Sequence, residues 1–357
     1  MRVHFVLPTD GTVPVGGYKV VYEYANGLVA RGHEVTITHP FCLQPSQVRS
    51  TLTHLRPWLT FIKRWALRHF TPMTWFKLDP AVRLRFVPWL HRWFMPASDV
   101  VIATAWETAE WVATYEPSHG RRFYLIQHFE DWSGDRDQVL RTWRLPMHKI
   151  VISRWLQAMV TEQGEASSYI TNGLDFKAFG MDVPPQDRAS HSVAMLYHQA
   201  AWKGSRYGLD ALKQVHAQCP ALRVTLFGVC APPVDLPPWV TYHQLPSQSL
   251  LREIYNQAAI FLAPSLTEGW GLPPAEAMIC GAAVVLTDVD GHREFAQADV
   301  NALMCPPADA AALARCVLTL MSDPLLRLRL AQAGRDSIQR FTWSSACEAM
   351  EQTLVQK

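Results

Sequence analysis

The chain has 357 residues, 49% of them hydrophobic, which suffices to bury two cores of ordinary domain size and would make one unusually large domain. A formal net charge of +2 argues against nucleic-acid binding through overall charge, so a charged partner has to be recognised locally. Seven cysteines, scattered, odd in number and never in a CxxC pair, support neither a zinc site nor a disulfide framework, and the absence of a charged leader or of ~18 uninterrupted apolar residues leads us to expect a cytoplasmic protein, neither secreted nor membrane-spanning.

Arg2 to Leu7 reads as a strand and Pro8 to Val15 as a loop ending in Gly16-Gly17. Tyr18 to Arg31 then carries apolar residues at helical spacing (Val21, Tyr24, Ala25, Leu28, Val29); Gly32 stops the helix and Glu34 to Thr38 makes a second strand. This opening is Rossmann-like but lacks GxGxxG, which disfavours a nicotinamide or flavin enzyme. The plain reading of the glycine pair is a tight turn.

From Arg49 to Pro96 the composition shifts. Arg49, Arg56, Lys63, Arg64, Arg68, Lys77, Arg83, Arg85 and Arg92 are opposed by one acid, Asp79, and are interleaved with Trp58, Phe61, Trp65, Phe70, Trp75, Phe76, Trp89, Trp93 and Phe94. Leu55 to Phe70 can be drawn as a helix with a basic face, and cations mixed with tryptophans suit a bilayer interface. The plainer reading is an α/β domain's aromatic core, with Arg83 to Pro88 an ordinary strand.

Further strands are expected at Asp99 to Ala103, Arg122 to Gln127 and His148 to Ser153, with a helix through Trp111 and another from Trp155 to Gln163. The second of these strands runs into His128-Phe-Glu-Asp-Trp132, and strand ends line the ligand crevice of open α/β sheets, which makes His128, Glu130 and Asp131 candidates for ligand contact. A satisfied structural histidine is the competing reading. Asn172 to Ser190 is rich in Gly, Pro, Asp and Gln without periodicity and is the best linker, so the domain boundary is placed there.

The second domain opens with a strand at Ser192 to Tyr197 and a helix from about Arg206 to Gln218. Lys203-Gly204 sits just ahead of that helix, where a cation and free amides can hold a diphosphate; a solvated lysine is the alternative, and Walker spacing is absent. Strands follow at Leu222 to Gly228 and Val240 to His243, and Gln244 to Ser249 leads into a helix ending near Gln257.

Ala259 to Ala263 and Ala283 to Thr287 read as buried parallel strands that bracket Ser265-Leu-Thr-Glu-Gly-Trp-Gly-Leu-Pro-Pro-Ala-Glu-Ala-Met-Ile-Cys-Gly281. Pro273 and Pro274 can open a helix that Gly281 ends in the left-handed conformation. Glu268 falls in the loop and Glu276 in the expected first helical turn, where Gly269, Gly271 and unpaired helix-start amides suit a phosphorylated ligand. Taken singly, each acid has a plain reading: Glu276 complements the helix dipole and Glu268 is solvated. Beyond this unit, Asp290-Gly-His-Arg-Glu294 is expected to open a helix, and Asp309 to Met321, Pro324 to Arg340 and Trp343 to Val355 to form three more.

The run Glu268-Gly-Trp-Gly-Leu-Pro-x-x-Glu276-Ala-Met-x-x-Gly281-x-x-Val284-Val285 closely resembles the signature of the retaining glycosyltransferases of family 4, also called glycosyl transferases group 1. The resemblance covers most of the second domain and, more weakly, the glycine loop and strand order of the first. It implies α/β architecture with two Rossmann-like domains facing across a cleft (GT-B): residues 1–172 on the acceptor side, 173–342 binding the nucleotide-sugar, and a helix at 343–357 returning to the first domain.

By the same resemblance, Glu268 would touch the donor sugar and Glu276 the ribose hydroxyls, and His128 would contact the donor sugar. Lys203, helix-start amides and the Gly16-Gly17 backbone would stabilise the leaving diphosphate. His198, Leu245, Gly269, Trp270, Gly271 and Leu272 complete the donor-binding set, and Tyr18, Glu130, Asp131 and Trp132 fall on the acceptor side. The family pairs the lysine with an arginine five residues earlier, where this chain has His198. Either another cation substitutes or the phosphate holds His198 protonated.

The expected partners are a nucleotide-sugar donor and a saccharide or lipid-linked acceptor, with peripheral membrane contact through residues 49–96 and no nucleic acid. Neither a metal nor another cofactor is expected, since helix amides and cations can replace a divalent ion. A sugar-nucleotide epimerase or hydrolase, a phosphorylase, and a non-catalytic, membrane-recruited assembly subunit are the alternatives that fit the same fold.

Overall fold

A computed structural model describes residues 1–9, 11, 13–43, 62–63, 66 and 75–356. Two compact units emerge, Met1–Gly173 together with Trp343–Lys357, and Leu174–Thr342. The helix expected at Leu55 to Phe70, with most of the cations and aromatics quoted around it, lies outside the described residues apart from Ile62, Lys63 and Ala66.

The first unit is built on a parallel sheet of β1 (Arg2–Val6), β2 (Glu34–Pro40), β3 (Arg83–Val87), β4 (Val100–Ala103), β5 (Arg121–Ile126), β6 (His148–Val151) and β7 (Ser167–Tyr169), in spatial order β3-β2-β1-β4-β5-β6-β7. Parallel sheets are covered on both faces, so their inner strands need apolar residues without alternation; Val100–Ala103 is buried throughout, as are Phe5 and Val6 beside it. Helices α1 (Gly16–Ala30), α2 (Trp106–Ala113), α3 (Arg136–Trp143) and α4 (Arg154–Glu162) connect the strands. Chain order reverses between β1 and β4, which sets the loops leaving these two strands at a topological switch point.

One local expectation changes here. Gly16 and Gly17 do not close the preceding loop but form the first turn of α1, whose N-cap Val15 offers no side-chain oxygen. The loop before them is held from the side instead: the Tyr18 hydroxyl accepts from the Thr9 amide (2.9 Å), His39 Nδ1 meets the Thr9 carbonyl (2.7 Å), and the Trp75 indole donates to the Gly11 carbonyl (3.0 Å).

The second unit has a parallel sheet of β8 (Ser192–Leu196), β9 (Arg223–Gly228), β10 (Val240–Gln244), β11 (Ile260–Ala263), β12 (Ala283–Thr287) and β13 (Leu303–Cys305), ordered β10-β9-β8-β11-β12-β13. Val193, Met195, Leu226, Ile260, Leu262 and Val285 from its strands pack with Leu212 and Val215 of α5 (Ser205–Gln218) into one buried core. Helices α6 (Gln248–Gln257), α7 (Leu272–Ile279), α8 (Ala310–Ser322) and α9 (Pro324–Ile338) complete the unit. Here the order reverses between β8 and β11.

The stretch read as a linker is packed. The Leu174 amide donates to the Phe341 carbonyl (2.9 Å), Phe179 is buried, and the Arg188 guanidinium donates to the carbonyls of Val183, Tyr255, Ala258 and Cys280. Asp290 to Glu294 opens no helix but makes a single 3-10 turn, His292–Glu294.

The last helix, α10 (Trp343–Val355), belongs to the first unit and lies on α1. Its buried face is Ala346, Cys347, Met350 and Leu354; Trp343 meets Tyr24 edge to face at 5.4 Å, and Glu351 pairs with Arg31 (2.6 Å) and His33 (2.8 Å). Gly27 permits the close approach, because a Cβ there would stand 2.2 Å from Cys347 Sγ. All seven cysteines are free thiols; Cys280, Cys305 and Cys347 are buried and the other four half-buried.

Candidate functional site

In the second unit, the loops that leave β8 and β11 meet at the switch point between those strands. Backbone contacts set their spacing: the Leu266 amide donates to the Trp202 carbonyl (2.7 Å). Gly204, at φ 62°, turns the chain into α5 directly against Pro264, whose carbonyl oxygen would lie 1.9 Å from a Cβ at this position. Any other residue would push the two loops apart.

The result is an ion pair between residues 65 apart in sequence. Lys203 Nζ donates to Glu268 Oε1 at 2.7 Å, and the Ser265 hydroxyl donates to the same oxygen at 2.8 Å. Burial pushes the Glu268 pKa upward, but the Lys203 ammonium, the charge of His292 where acid protonates that ring, and the two hydrogen bonds outweigh it and hold the carboxyl at about 2. Glu268 is therefore a fixed anion, which removes the reading of it as a solvated loop residue.

His198 stands in the same cluster. Its Nδ1 accepts the Ala200 amide (3.0 Å), which leaves the proton of the neutral ring on Nε2. Burial lowers its pKa, Lys203 lowers it further and Glu268 opposes both. The imidazole is thus neutral, offering a hydrogen bond but no charge, and not a second cation beside Lys203.

Glu276 departs from its expected place. The helix α7 starts at Leu272 with Gly271 (φ 103°) as N-cap, so Glu276 lies beyond the first turn, buried, with Oε2 accepting from the Tyr255 hydroxyl of α6 at 3.1 Å. Pro273 and Pro274 occupy first-turn positions and have no N–H, so the helix start supplies fewer amides than expected; Leu272 and the loop glycines carry the rest. Trp270 is buried against Phe295 (4.9 Å) and Phe341 (5.2 Å), an anchor for the loop and not an exposed ligand platform. Leu245 follows β10 in the left-handed region (φ 48°), its amide bonded to the Gly228 carbonyl (2.8 Å) at the end of β9.

The remaining candidates sit in the first unit. Gln127 at the end of β5 donates to the Gly17 carbonyl (3.2 Å), tying the first turn of α1 to that strand. His128 follows it, with Nδ1 on the Phe129 carbonyl (3.0 Å) and its ring 4.5 Å from that of Trp132, which is 40% exposed. Glu130 caps α2 by accepting the Trp106 amide (2.9 Å), and burial raises its pKa to about 8. Near neutral pH it is largely an uncharged carboxyl serving the helix. Tyr18 is buried on Thr9, and Asp131 is exposed.

Sequence reasoning assigned no role to Ser265, Thr287, His292, Gln127 or Tyr255. Their contacts arise within loops, between strand ends and between helices, and no motif spacing marks them in advance. Among the described residues no group of three or more His, Cys, Asp or Glu is placed to hold a metal ion, and no helix is long and apolar enough to cross a membrane.

Residues 191–323 match the family described as Glycosyl transferases group 1. The D-inositol 3-phosphate glycosyltransferase of Xylanimonas cellulosilytica is 35% identical over 111 residues, 31% of this chain and 27% of that protein. The alpha-maltose-1-phosphate synthase of Mycobacterium tuberculosis is 39% identical over 105 residues, 28% of this chain and 27% of its own length. The chain thus matches about a quarter of each of these curated relatives. Among solved structures, sucrose-phosphate synthase from Thermosynechococcus elongatus superimposes with a TM-score of 0.73 at 17% identity, covering 99% of this chain and 98% of that one. Anabaena HepE, solved with UDP and glucose, gives 0.73 at 16% identity over 99% of both chains. Residues 191–323 of the second unit thus resemble the group 1 glycosyl transferases, and the two parallel sheets share the GT-B fold of these solved structures.

Proposed function

We propose that the chain is a retaining glycosyltransferase that moves a sugar from a nucleotide-sugar donor to a saccharide or lipid-linked acceptor without a metal ion. The observation that carries this reading is the Lys203–Glu268 pair at the β8/β11 switch point, inside the family-matched segment. A diphosphate entering there exchanges its oxygens for Glu268 on the Lys203 ammonium, with the Nε2–H of His198 and loop amides as further donors. Negative charge grows on the leaving diphosphate in the transition state, where such preorganised donors act most strongly. Glu268, released from part of its pairing, accepts hydroxyls of the donor sugar and orients it for attack from the leaving-group face. Relatives named for transfer to inositol phosphate and for maltose-phosphate synthesis, and a neighbour of the same fold holding UDP-glucose, support a nucleotide-sugar donor.

We place the protein on the cytoplasmic side, docked at the membrane surface through residues 49–96. Trp93, 82% exposed on a turn beside Arg85 and Arg92, supports that docking.

The test is a thermal-shift screen of UDP-, GDP-, ADP- and dTDP-sugars on the wild type and on Glu268→Gln. One nucleotide class should raise the melting temperature in both, and only the wild type should transfer sugar, with turnover unaffected by EDTA. Stabilisation by none of them removes the reading; loss of turnover in EDTA with recovery on adding Mg²⁺ or Mn²⁺ removes its metal-free part. Turnover of the sugar nucleotide alone, without acceptor, points to an epimerase or hydrolase.

A further inference from the structure

His292 lies behind the proposed donor site and plays no part in the mechanism above. The turn that carries it supports the Glu268 loop by close backbone approach. A Cβ on Gly291 would stand 2.3 Å from the Glu268 carbonyl oxygen, and a Cβ on Gly271 would stand 2.9 Å from His292 Cδ2 and 3.4 Å from its Nε2. The ring edge bearing Nε2 therefore faces the loop from Glu268 to Gly271.

The ring is fully buried and half satisfied. Nδ1 lies 2.8 Å from the Thr287 carbonyl, so it carries the proton, and the Thr287 hydroxyl in turn donates to the carbonyl of Ser265 (2.5 Å), the same residue whose hydroxyl holds Glu268. Nε2, by contrast, is buried with no hydrogen-bond partner. Buried polar atoms are almost always paired, and this unpaired one sits on the ring edge that faces the loop carrying Glu268.

The charged groups acting on this ring are Glu268 from the loop after β11, Lys203 from the loop after β8, and Asp288 after β12, the last already bound to Arg293 at 2.7 Å. With Lys203 paired to Glu268, burial and the ammonium keep the ring neutral. A diphosphate on Lys203 changes that balance, because it brings negative charge and takes the cation from Glu268.

We propose that His292 is a positioning residue for Glu268: when the diphosphate of a nucleotide-sugar claims Lys203, the lone pair of His292 Nε2 takes one proton from solvent, so that the Glu268 carboxylate keeps an adjacent cation. No bond to the substrate forms or breaks in this step, and the net change is one proton taken up. His198 is the other imidazole nearby, but its Nδ1 already accepts the Ala200 amide and it offers the ligand a proton it carries. The proposal rests on the donor-site reading above.

Calorimetric titration with UDP-glucose near pH 7, in two buffers of different ionisation enthalpy, counts protons taken up per ligand. A sugar nucleotide is chosen because its diphosphate has no oxygen that titrates near neutrality. The wild type and His198→Gln should both show net uptake. His292→Asn keeps an N–H for the Thr287 carbonyl but cannot take a proton, and should bind with uptake reduced to near zero; His292→Gln should do the same. Wild-type binding without uptake overturns the proposal while leaving the donor site standing, and this measurement needs no variant to fold. Uptake that persists in His292→Asn, or that vanishes in His198→Gln, also overturns it. Should neither UDP-glucose nor its GDP, ADP or dTDP counterparts bind, the donor-site reading falls and this inference falls with it.

Discussion

Glu268 is an anion held where burial alone would neutralise it. Its carboxyl sits at about 2 against an ordinary value of 4.5, and a group depressed on folding contributes stability above its unfolded pKa that is lost as pH falls through the folded one. The window therefore runs from pH 4.5 down to about 2, and the full contribution is roughly 3 kcal/mol. Denaturant unfolding of the wild type and Glu268→Gln should differ at pH 7 and converge as the pH drops through that window. Removing only the cation should be worse than removing both charges. The side chains of Lys203 and Glu268 are 25% and 11% exposed, so Lys203→Met should cost about 1–3 kcal/mol, less than a fully buried pair, with Glu268→Gln restoring most of it in the double variant. Activity should stay lost in the double variant, which separates the stability of the pair from its proposed role in binding diphosphate.

At the scale of elements, the site depends on loops crossing at strand ends more than on any helix. Gly204 is the tightest joint, with a left-handed backbone pressed on the Pro264 carbonyl. Gly204→Ala should destabilise the protein by at least roughly 1–3 kcal/mol from backbone conformation alone, and should displace Lys203 from Glu268. A melting temperature equal to that of the wild type would contradict this account of the crossing. The boundaries of the Asp309-to-Met321 and Trp343-to-Val355 helices and the strand at Ala283 to Thr287 were legible to within a residue, because apolar spacing and caps such as Asp309 mark them locally. The misreadings have local causes too. Gly16 and Gly17 looked like turn residues, yet neither needs positive φ and both fit a helix start. Asp290 to Glu294 looked like a helix opening, but it is followed by a turn built around Asn301, whose side-chain Oδ1 accepts the Gln297 amide (2.7 Å) and whose side-chain Nδ2 donates to the Phe295 carbonyl (2.9 Å).

Across the whole molecule, the first unit is closed by the last helix of the chain. The contact of α1 with α10 rests on Gly27 facing Cys347, where an added methyl has no room. Gly27→Ala gains helix propensity of about 1 kcal/mol but should lose about 1–3 kcal/mol to overpacking, and pairing it with Cys347→Ala should recover much of the loss. A double-mutant cycle in urea measures this coupling; strict additivity would show that the helices part without strain. For the proposed membrane docking, flotation with vesicles of anionic lipid at low salt should carry the wild type upward, and Trp93→Ala should float less, since its 82% exposed ring is the apolar group available to an interface. Wild type that stays at the bottom removes the docking proposal.

By itself, the sequence determined that this protein is α/β with two Rossmann-like units, and where its signature loop falls, because buried parallel strands need unbroken apolar runs and tight loops need glycine and proline in order. Those are short-range requirements written residue by residue. Only the tertiary structure decided that Lys203 and Glu268 form one ion pair, that Glu276 is held by Tyr255 from another helix, that Glu130 caps α2, and that His292 stands buried behind the loop with one nitrogen unpaired. Each of these depends on which strand ends the sheet order brings side by side, and that order reverses at β8 and β11, where no local pattern announces it.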